Sequence, residues 1–520
     1  MNNIVKAHYL ELKNPEFKGN PLIESLPQKK GHDQFFELVL NQKALSRKEA
    51  LCHDKDTRLE FLTTFRLIFF VPQERLYSLY TSIYSSITAG YHLRNPLKIN
   101  ARKELNQSYH DLLYTFVENE NASSLSSCLF GVSGIGKTTA LNKILSLFPK
   151  AISHSLQDID SIVQVPIIKI ECPKDSSTKD LCRSFFYQLD EILGTDYQLI
   201  YDRPKATADS MVNAMSKLAI SHRIGMLIID EIQQLANAKK NGAELLLNFF
   251  VNLNNRVRVP ILIVGTPESL KLFSSSHRLP RRWSGEGAKK WHNLSMDSEW
   301  EFFIEMLFNY QYTNDKVACS KRWAELFYYH SQGIIDTAIR IFTESQKTVL
   351  EENLDAISEE IINNVVQESF WLETPSTKAL RSGKISQISQ FPDLFFHDDL
   401  QEKSSPEKIH RMKIDTAVDS LIEFGIPQHY LIEKVKQLTE KFPHFSAEKI
   451  SLEVIHEYKN EIIHEETQKG TPLKNSSNHF SPNDLRNCDP TSSNFHDALN
   501  ELGVLADLEM EGILLPLHGS

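Results

Sequence analysis

Four short apolar runs alternate with helical stretches between Ser124 and about Thr266. The runs are nearly continuous in apolar residues: SCLFG at 127–131, VPIIKIEC at 165–172, GMLIID at 225–230 and PILIVGT at 260–266. Strands of this composition are buried on both faces, as in a parallel sheet that helices cover. The pattern predicts an α/β fold with a parallel sheet for this part of the chain.

The segments on either side of this region favour helices. Before it, apolar residues at helical spacing predict a helix that Gly90 ends; they are Leu76, Leu79, Tyr80, Ile83 and Ile87. After it, amphipathic stretches from Asp297 to about Leu372 carry no strand signal and predict a helical lid. Helical patches continue beyond Glu373, followed by a stretch rich in Asn, Ser and Pro that is typical of a disordered linker.

The chain is too long for one ordinary core, so we expect several domains. The predicted segments are an N-terminal extension (1–120), an α/β core (121–296), a helical lid (297–372), a C-terminal helical region (373–469), a disordered linker (470–494) and an acidic-apolar tail (495–520).

Charge and cysteine content narrow the function classes. The net charge is −10, but residues 401–520 hold 12 basic against 20 acidic residues and so contribute −8 of it. The first 400 residues are nearly neutral, which leaves room for a local basic face that binds DNA. The six cysteines have no metal-ligand spacing, which argues against structural zinc and a disulfide framework. With no signal segment and no apolar run long enough to cross a bilayer, we expect a cytoplasmic protein without a membrane partner.

The stretch LFGVSGIGKTTALNKIL (129–145) fits the pattern G-x-x-x-x-G-K-[ST] through Gly131, Gly136, Lys137 and Thr138. In such a loop, backbone N–H groups close around phosphate oxygens at a helix N-terminus, and the lysine reaches the β- and γ-phosphates. The pattern predicts an ATP site with Mg²⁺ on the Thr138 hydroxyl. The predicted nucleotide-binding residues are Gly131, Val132, Ser133, Gly134, Ile135, Gly136, Lys137, Thr138 and Thr139.

An acidic pair follows the third apolar run, in GMLIIDEIQQL. Asp230 is expected near the Mg²⁺, so Thr138 and Asp230 are the predicted metal site. Glu231 is expected to orient and deprotonate the attacking water, which indicates hydrolysis and not nucleotide binding alone.

Further catalytic candidates are polar or basic residues downstream. Thr266 would lie beside the γ-phosphate if the fourth strand runs between the strands of the other two motifs; alternatively it is a helix cap before Pro267. Arg340 lies on a predicted lid helix. We expect it either to reach the nucleotide or to be an ordinary solvated residue of that helix. The basic cluster of Arg278, Arg281 and Arg282 offers an arginine finger for a neighbouring subunit, or an ordinary surface turn.

Together these residues resemble the AAA+ ATPases, a resemblance that implies rings or spirals with ATP bound between subunits. Within that class the sequence is most similar to the TnsC family of transposition regulators. The segments that carry this resemblance are NPLIESLP (20–27), AGYHLRNP (89–96), GVSGIGKTT (131–139), LIIDEIQQL (227–235), LLNFFVNLNNRVRVPILIVGTP (246–267), SQGIIDTAIRIF (331–342) and KALRSGKISQISQFPDL (378–394).

The resemblance implies an ATP-dependent regulator that assembles on duplex DNA, connects a target selector to the transposase and activates it. Hydrolysis would then drive disassembly and target immunity. Contacts with the DNA backbone are expected from Lys174, Lys179 and Arg183, in the segment after the second strand. Alternatively, this segment is a solvated loop followed by the start of a helix.

Partner contacts are expected at both ends of the chain. The resemblance implies that the N-terminal extension meets the target selector, whereas the tail from Asp497, with five carboxylates and no Lys or Arg, meets the transposase subunits. Alternatively, the tail packs on its own ATPase domain.

Two other functions share the ATPase core. A replication initiator or helicase loader would add a dedicated DNA-binding module after the lid. A signalling scaffold would oligomerise without DNA and would show no DNA-stimulated turnover.

Overall fold

A computed structural model describes residues 4–40, 44–98, 126–156, 159–174, 177–237, 258–274, 287–396, 428–443 and 445–468, with isolated positions between 247 and 250 and between 413 and 422. The chain divides into two compact units, Met1–Glu373 with Ile388–Leu400, and Thr374–Gln387 with Gln401–Ser520. The predicted linker (470–494), the predicted tail (495–520) and the basic cluster at 278–282 lie outside the described residues.

The described strands belong to the first unit. In chain order they are β1 (Ile4–Lys6), β2 (Ser127–Gly131), β3 (Ala151–Leu156), β4 (Ile159–Gln164), β5 (Ile167–Glu171), β6 (Met226–Asp230), β7 (Ile261–Gly265) and β8 (Ala288–Trp291). The main sheet is parallel, with the order β5-β6-β7-β2-β8, and a smaller sheet has the order β1-β3-β4. The parallel sheet predicted from the four apolar runs is confirmed.

Burial explains why four strands of the main sheet were predictable and one was not. Every residue of β2, β6 and β7 is buried, because these strands are central and helices cover both faces. At the sheet edge, β8 has the sequence AKKW and exposes Lys290, so it has no apolar run to recognise. The smaller sheet pairs the N-terminal β1 with β3, a long-range pairing that the sequence pattern did not indicate.

The helices of the first unit are α1 (Pro21–Glu24), α2 (His32–Val39), α3 (Arg47–Ala50), α4 (Lys55–Ile68), α5 (Glu74–Leu93), α6 (Lys137–Leu145), α7 (Thr178–Leu193), α8 (Tyr197–Tyr201), α9 (Ala208–Ser221), α10 (Leu270–Ser274), α11 (Ser298–Phe308), α12 (Lys321–Ser331), α13 (Ile335–Glu351) and α14 (Glu359–Ser369). Short 3₁₀-helices follow β6 and β7, two turns at Ile232–Asn237 and one turn at Pro267–Ser269.

The described residues before 99 contribute to two hydrophobic cores. Residues of α1, α2 and α5, among them Leu22, Phe35 and Ile83, share a core with the main sheet. Residues of α4, among them Leu62 and Phe65, share a second core with the lid helices α11 to α14. The segment between α4 and α5 therefore runs from the lid core to the sheet core.

Gly90 does not end α5, which continues to Leu93. A Cβ atom at Gly90 would lie 2.9 Å from Cδ and Cγ of Pro260, immediately before β7. The five apolar residues predicted to line this helix are all buried, as expected. Glycine is therefore required at position 90 for close packing against the sheet, and it does not act as a helix terminator.

The second unit is helical. Its described helices are α15 (Thr374–Ser382), α17 (Gln428–Lys441) and α18 (Ala447–Gln468), while α16 (Ile385–Ile388) lies at the boundary between the units. Apolar residues such as Leu431, Val435 and Val454 of α17 and α18 are buried, and Lys434 pairs with Glu457 at 2.9 Å. Both helices lie within the predicted C-terminal helical region.

Candidate nucleotide site

The predicted phosphate loop connects the buried strand β2 to helix α6. Gly134 and Gly136 adopt positive φ angles of 74° and 86°, a conformation that L side chains rarely take. The loop therefore curls tightly before α6 begins at Lys137, and the backbone at the start of this helix is open to an anion.

Lys137 is buried beneath this loop. Its ammonium donates hydrogen bonds to the carbonyl oxygens of Gly131 at 2.7 Å and Val132 at 3.0 Å. Burial lowers its pKa, whereas the nearby carboxylates of Glu231 and Asp230 oppose that shift. The charge of Lys137 is thus held at the base of the loop, where a nucleotide's phosphates would replace part of its lost hydration.

Thr138 and the buried Asp230 lie next to each other, as the sequence predicted for a shared metal. The Thr138 hydroxyl donates to Oδ2 of Asp230 over 3.1 Å. The same carboxylate oxygen lies 3.1 Å from Nζ of Lys169, on the adjacent strand β5. No sequence motif indicates a role for Lys169, because it is a single charged residue within an otherwise apolar run.

A strained residue follows strand β6 directly. Glu231 has a φ angle of 60° in the left-handed region, which is uncommon for a non-glycine residue and is concentrated at functional sites. Burial raises its pKa, the charge of Asp230 raises it further, and Lys137 with Gln233 lower it. A carboxylate with a raised pKa is suited to accept a proton from water near neutral pH.

Gln233 connects Glu231 to the next strand. Its side-chain N–H donates to Oε2 of Glu231, and its Oε1 accepts from the backbone N–H of Thr266 at 3.2 Å. Sequence reasoning missed Gln233, although it lies two residues after the acidic pair. The bridge fixes Glu231 relative to the end of β7.

Strand β7 lies between β6 and β2, the arrangement on which the role of Thr266 depended. Thr266 precedes the 3₁₀ turn, but its side chain makes no capping hydrogen bond. Its hydroxyl oxygen is buried without a hydrogen-bond partner among the described residues. The side chain is therefore available to a ligand, and its catalytic role stays a prediction.

The lid and a later segment both contact the phosphate loop directly. The backbone N–H of Asp336, in the first turn of α13, donates to the Gly134 carbonyl at 3.0 Å, and Ser133 N–H donates to the Asp393 carbonyl at 3.1 Å. Arg340, one turn after Asp336, pairs with Glu373 and stacks 4.8 Å from the Phe370 ring. Its contact with the nucleotide stays a prediction.

These elements enclose one cavity of about 430 Å³. The phosphate loop, Glu231, Gln233 and Thr266 form one side, and Ile335, Asp336 and Ile339 of the lid form another. The remaining wall comes from the end of α4, the start of α5 and the segment between them, and from Trp291 at the end of β8. Sequence reasoning did not assign this N-terminal wall, because no motif marks it.

The predicted DNA contacts lie in a different place, around the start of α7. Lys174 is exposed. Lys179 donates to the Ala206 carbonyl at 2.7 Å, and Arg183 binds Asp180 at 2.5 Å and Asp202 at 2.9 Å. The last two cations therefore have intramolecular partners that a DNA phosphate would have to replace.

The residues present are compatible with a Mg²⁺ ion bound together with a nucleotide. The described residues contain no group of three or more His, Cys, Asp or Glu side chains that could hold a metal by themselves. Mg²⁺ in nucleotide sites commonly takes one or two protein oxygens and completes its shell with phosphates and water. The adjacent oxygens of Thr138 and Asp230 meet that need.

Residues 121–273 match the family model described as an AAA domain. This match and the strand order show that the chain contains an AAA-type P-loop ATPase domain and is an ATPase. No helix in the described ranges is long and apolar enough to cross a membrane.

No curated protein matches the sequence. Similar solved structures include the Aeropyrum pernix ORC1 protein in complex with DNA (13% identity, 65% of this chain and 82% of that chain covered, TM-score 0.33) and Cdc6p from Pyrobaculum aerophilum (15%, 66% and 87%, 0.34). The RuvB Holliday junction branch migration motor of Thermotoga maritima is another (15%, 65% and 86%, 0.29). These superpositions are of low quality, so the fold assignment rests on the family model and the strand order.

Proposed function

We propose that this ATPase is a DNA-binding regulator of transposition, which assembles on duplex DNA with ATP and connects a target selector to a transposase. ATP hydrolysis at Glu231 limits the lifetime of the assembly. This is the function implied by the resemblance to the TnsC family, and the arrangement of the segments outside the ATPase motifs supports it.

The observation that carries the proposal is that these flanking segments are built into the ATPase unit. In NPLIESLP, the Asn20 side chain donates to the Tyr91 carbonyl at 2.8 Å. In AGYHLRNP, Arg94 donates to the Ile224 carbonyl at 2.8 Å, next to β6. At the end of the segment 378–394, the Asp393 carbonyl accepts the hydrogen bond from Ser133 of the phosphate loop. Segments that resemble the family outside the common motifs thus make hydrogen bonds within the ATPase unit, and the last of them contacts the phosphate loop.

The proposed cycle follows from a difference in stability between the assembly before and after ATP hydrolysis. A subunit interface that includes bound ATP is favoured only while the γ-phosphate persists, because a ligand stabilises the state that binds it. Asp230 and Thr138 would hold Mg²⁺, which neutralises charge on the phosphates. Glu231, positioned by Gln233, takes the proton from the attacking water. We include Arg278, Arg281 or Arg282 as the cation supplied across the interface.

DNA binding is proposed to use the phosphate backbone. Lys174 is the exposed candidate, and Lys179 and Arg183 would exchange their present partners for phosphate oxygens. Contacts of this kind carry no base information and weaken steeply with salt. The N-terminal region would meet the target selector and the tail from Asp497 the transposase, in a ring or helical filament.

Sedimentation of the purified full-length chain tests this proposal. We expect large assemblies with duplex DNA and a slowly hydrolysed ATP analogue, and their loss with ADP or above about 0.3 M salt, given the salt dependence of backbone contacts. Addition of the transposase should then increase the sedimenting mass. Assembly that is equal with and without DNA would contradict the proposal and favour a scaffold ATPase.

A further inference from the structure

Three side chains that line the nucleotide cavity bury polar atoms without a partner in the described ranges. Thr266 is one of them, at the end of the sheet. The other two are Gln73, immediately before α5, and Arg75, in the first turn of α5. Their unpaired atoms are Nε2 of Gln73 and both Nε and Nη2 of Arg75. A buried donor without a partner is unfavourable, because it has lost its hydration and gained no hydrogen bond in return. Several such donors around one cavity indicate a ligand that is rich in acceptors.

The guanidinium of Arg75 is fixed so that one particular edge remains available. Its Nη1 donates to the His292 carbonyl at 2.6 Å, and its plane lies over Trp291, with 5.0 Å from Cζ to the ring centroid. The atoms left unpaired, Nε and Nη2, form the side edge of the guanidinium. That edge presents two parallel N–H groups, the geometry with which arginine binds two oxygens of one phosphate or carboxylate.

Charge also favours an anion at this place. Burial is the main cause that lowers the pKa of Lys137, the carboxylates of Glu231, Asp230 and Asp393 oppose it, and Arg75 adds a smaller lowering. Arg75 and Lys137 thus both line the cavity as cations, beside the carboxylate of Glu231. Burial lowers the pKa of Arg75 to about 10, which still leaves it charged at neutral pH. Two neighbouring cations that have lost hydration are stabilised by a polyanion between them.

We propose that Arg75 and Gln73 are nucleotide-binding residues, and that the Nε–Nη2 edge of Arg75 donates to phosphate oxygens of the bound nucleotide. The amide N–H of Gln73 adds a donor from the segment between α4 and α5, directly before the helix that holds Arg75. Because this segment joins α4, in the lid core, to α5, in the sheet core, nucleotide binding connects the two cores through the N-terminal region. The inference rests on the ATPase domain and does not depend on the proposed DNA function.

Binding measurements on the full-length chain test the assignment. We compare wild type with Arg75→Met, Arg75→Lys and Gln73→Leu, using ATP, ADP and adenosine. Lys290→Met is the matched control, because Lys290 lies on the neighbouring β8 but does not line the cavity. For Arg75→Met we expect dissociation constants for ATP and ADP to rise about tenfold to hundredfold. Arg75→Lys should fall in between, since an ammonium has no second parallel donor.

The outcomes separate the alternatives. An unchanged affinity for ATP in Arg75→Met, with wild type binding normally, would overturn the proposal. An equal loss for adenosine would overturn the phosphate assignment, since adenosine has no phosphate. If Arg75→Met weakens nucleotide binding as expected but the wild type does not assemble on DNA, the proposed function is rejected. The assignment of Arg75 then still holds.

A measurement on wild type covers the case in which the variants do not fold. Amide hydrogen exchange over residues 66–76 should slow when ATP is added, because the nucleotide ties this segment to the phosphate loop. The mostly exposed residues 314–320, between α11 and α12, serve as an internal control that should not respond. No change over residues 66–76 at saturating ATP would contradict the inference.

Discussion

The side-chain amide of Gln233 joins the carboxylate of Glu231 to the backbone of Thr266. A glutamine can make both contacts at once because its amide has a donor and an acceptor. The bridge connects the ends of two neighbouring strands, β6 and β7. It therefore positions the residue that we expect to activate water.

Substitution of Gln233 by leucine should lower kcat and leave the KM for ATP nearly unchanged. We expect a loss of about tenfold to hundredfold, the effect of one hydrogen bond to a charged group. Because Gln233 lowers the pKa of Glu231, its removal should also shift the acid limb of the kcat profile to higher pH. Gln234→Leu is the control, since Gln234 does not line the cavity. Equal effects of both substitutions would exclude a specific role for Gln233.

Thr266→Val should lower turnover without lowering the free energy of unfolding. The Thr266 hydroxyl has no hydrogen-bond partner in the described part of the chain, so its removal leaves no new unpaired group. We expect the free energy of unfolding without nucleotide to stay the same or rise by up to about 1 kcal/mol, while kcat falls about tenfold or more. Unchanged turnover would show that Thr266 is only a residue of the turn before Pro267.

The buried His154 should make stability fall as pH falls. Its ring lies 3.0 Å from the Tyr9 hydroxyl and 2.7 Å from Oε1 of Gln164, and burial lowers its pKa. A histidine with a lowered pKa in the folded state stabilises the fold above its unfolded pKa of about 6.5, and that contribution is lost as pH drops through the folded value. Denaturant midpoints between pH 7.5 and 5 should fall more steeply in wild type than in His154→Gln. Parallel curves would contradict this.

Gly90→Ala should destabilise the sheet core despite the higher helix propensity of alanine. The new Cβ would lie 2.9 Å from two atoms of the Pro260 ring, and a ring cannot rotate away. Overpacking of this kind costs about 1–3 kcal/mol, more than the gain of about 1 kcal/mol from helix propensity. Ser82→Ala on the same helix is the control, and thermal unfolding measures both. A rise in Tm for Gly90→Ala would show that the backbone moves without cost.

The sequence predicted those parts of the fold and site in which the decisive residues are contiguous. The phosphate loop, the pair of Asp230 and Glu231, and the central strands each carry their signal within about ten residues. The part of the cavity wall formed by Gln73 and Arg75 could not be predicted. These residues line the cavity together with the phosphate loop, which lies some 60 residues later in the chain. The edge strand β8 and the division of the N-terminal helices between two cores depend on tertiary packing in the same way.

The roles of single basic residues were the least predictable part of the site. For Arg340 the sequence left open a contact with the nucleotide or an ordinary place on the lid helix, and the structure shows its ion pair with Glu373. Arg75 was assigned no role, although it lines the cavity. Both side chains are long and charged, so the sequence indicates their reach but not the partner that they select.

The most direct test of the account is steady-state ATP hydrolysis by wild type and Glu231→Gln, each with and without duplex DNA. We expect wild type to release phosphate and to do so faster on DNA. We expect Glu231→Gln to lose about a hundredfold or more in kcat while it still binds ATP and assembles on DNA, because only the base for water is removed. Turnover that is unaffected by the substitution would contradict the assignment of the active site, and turnover that is indifferent to DNA would contradict the proposed function.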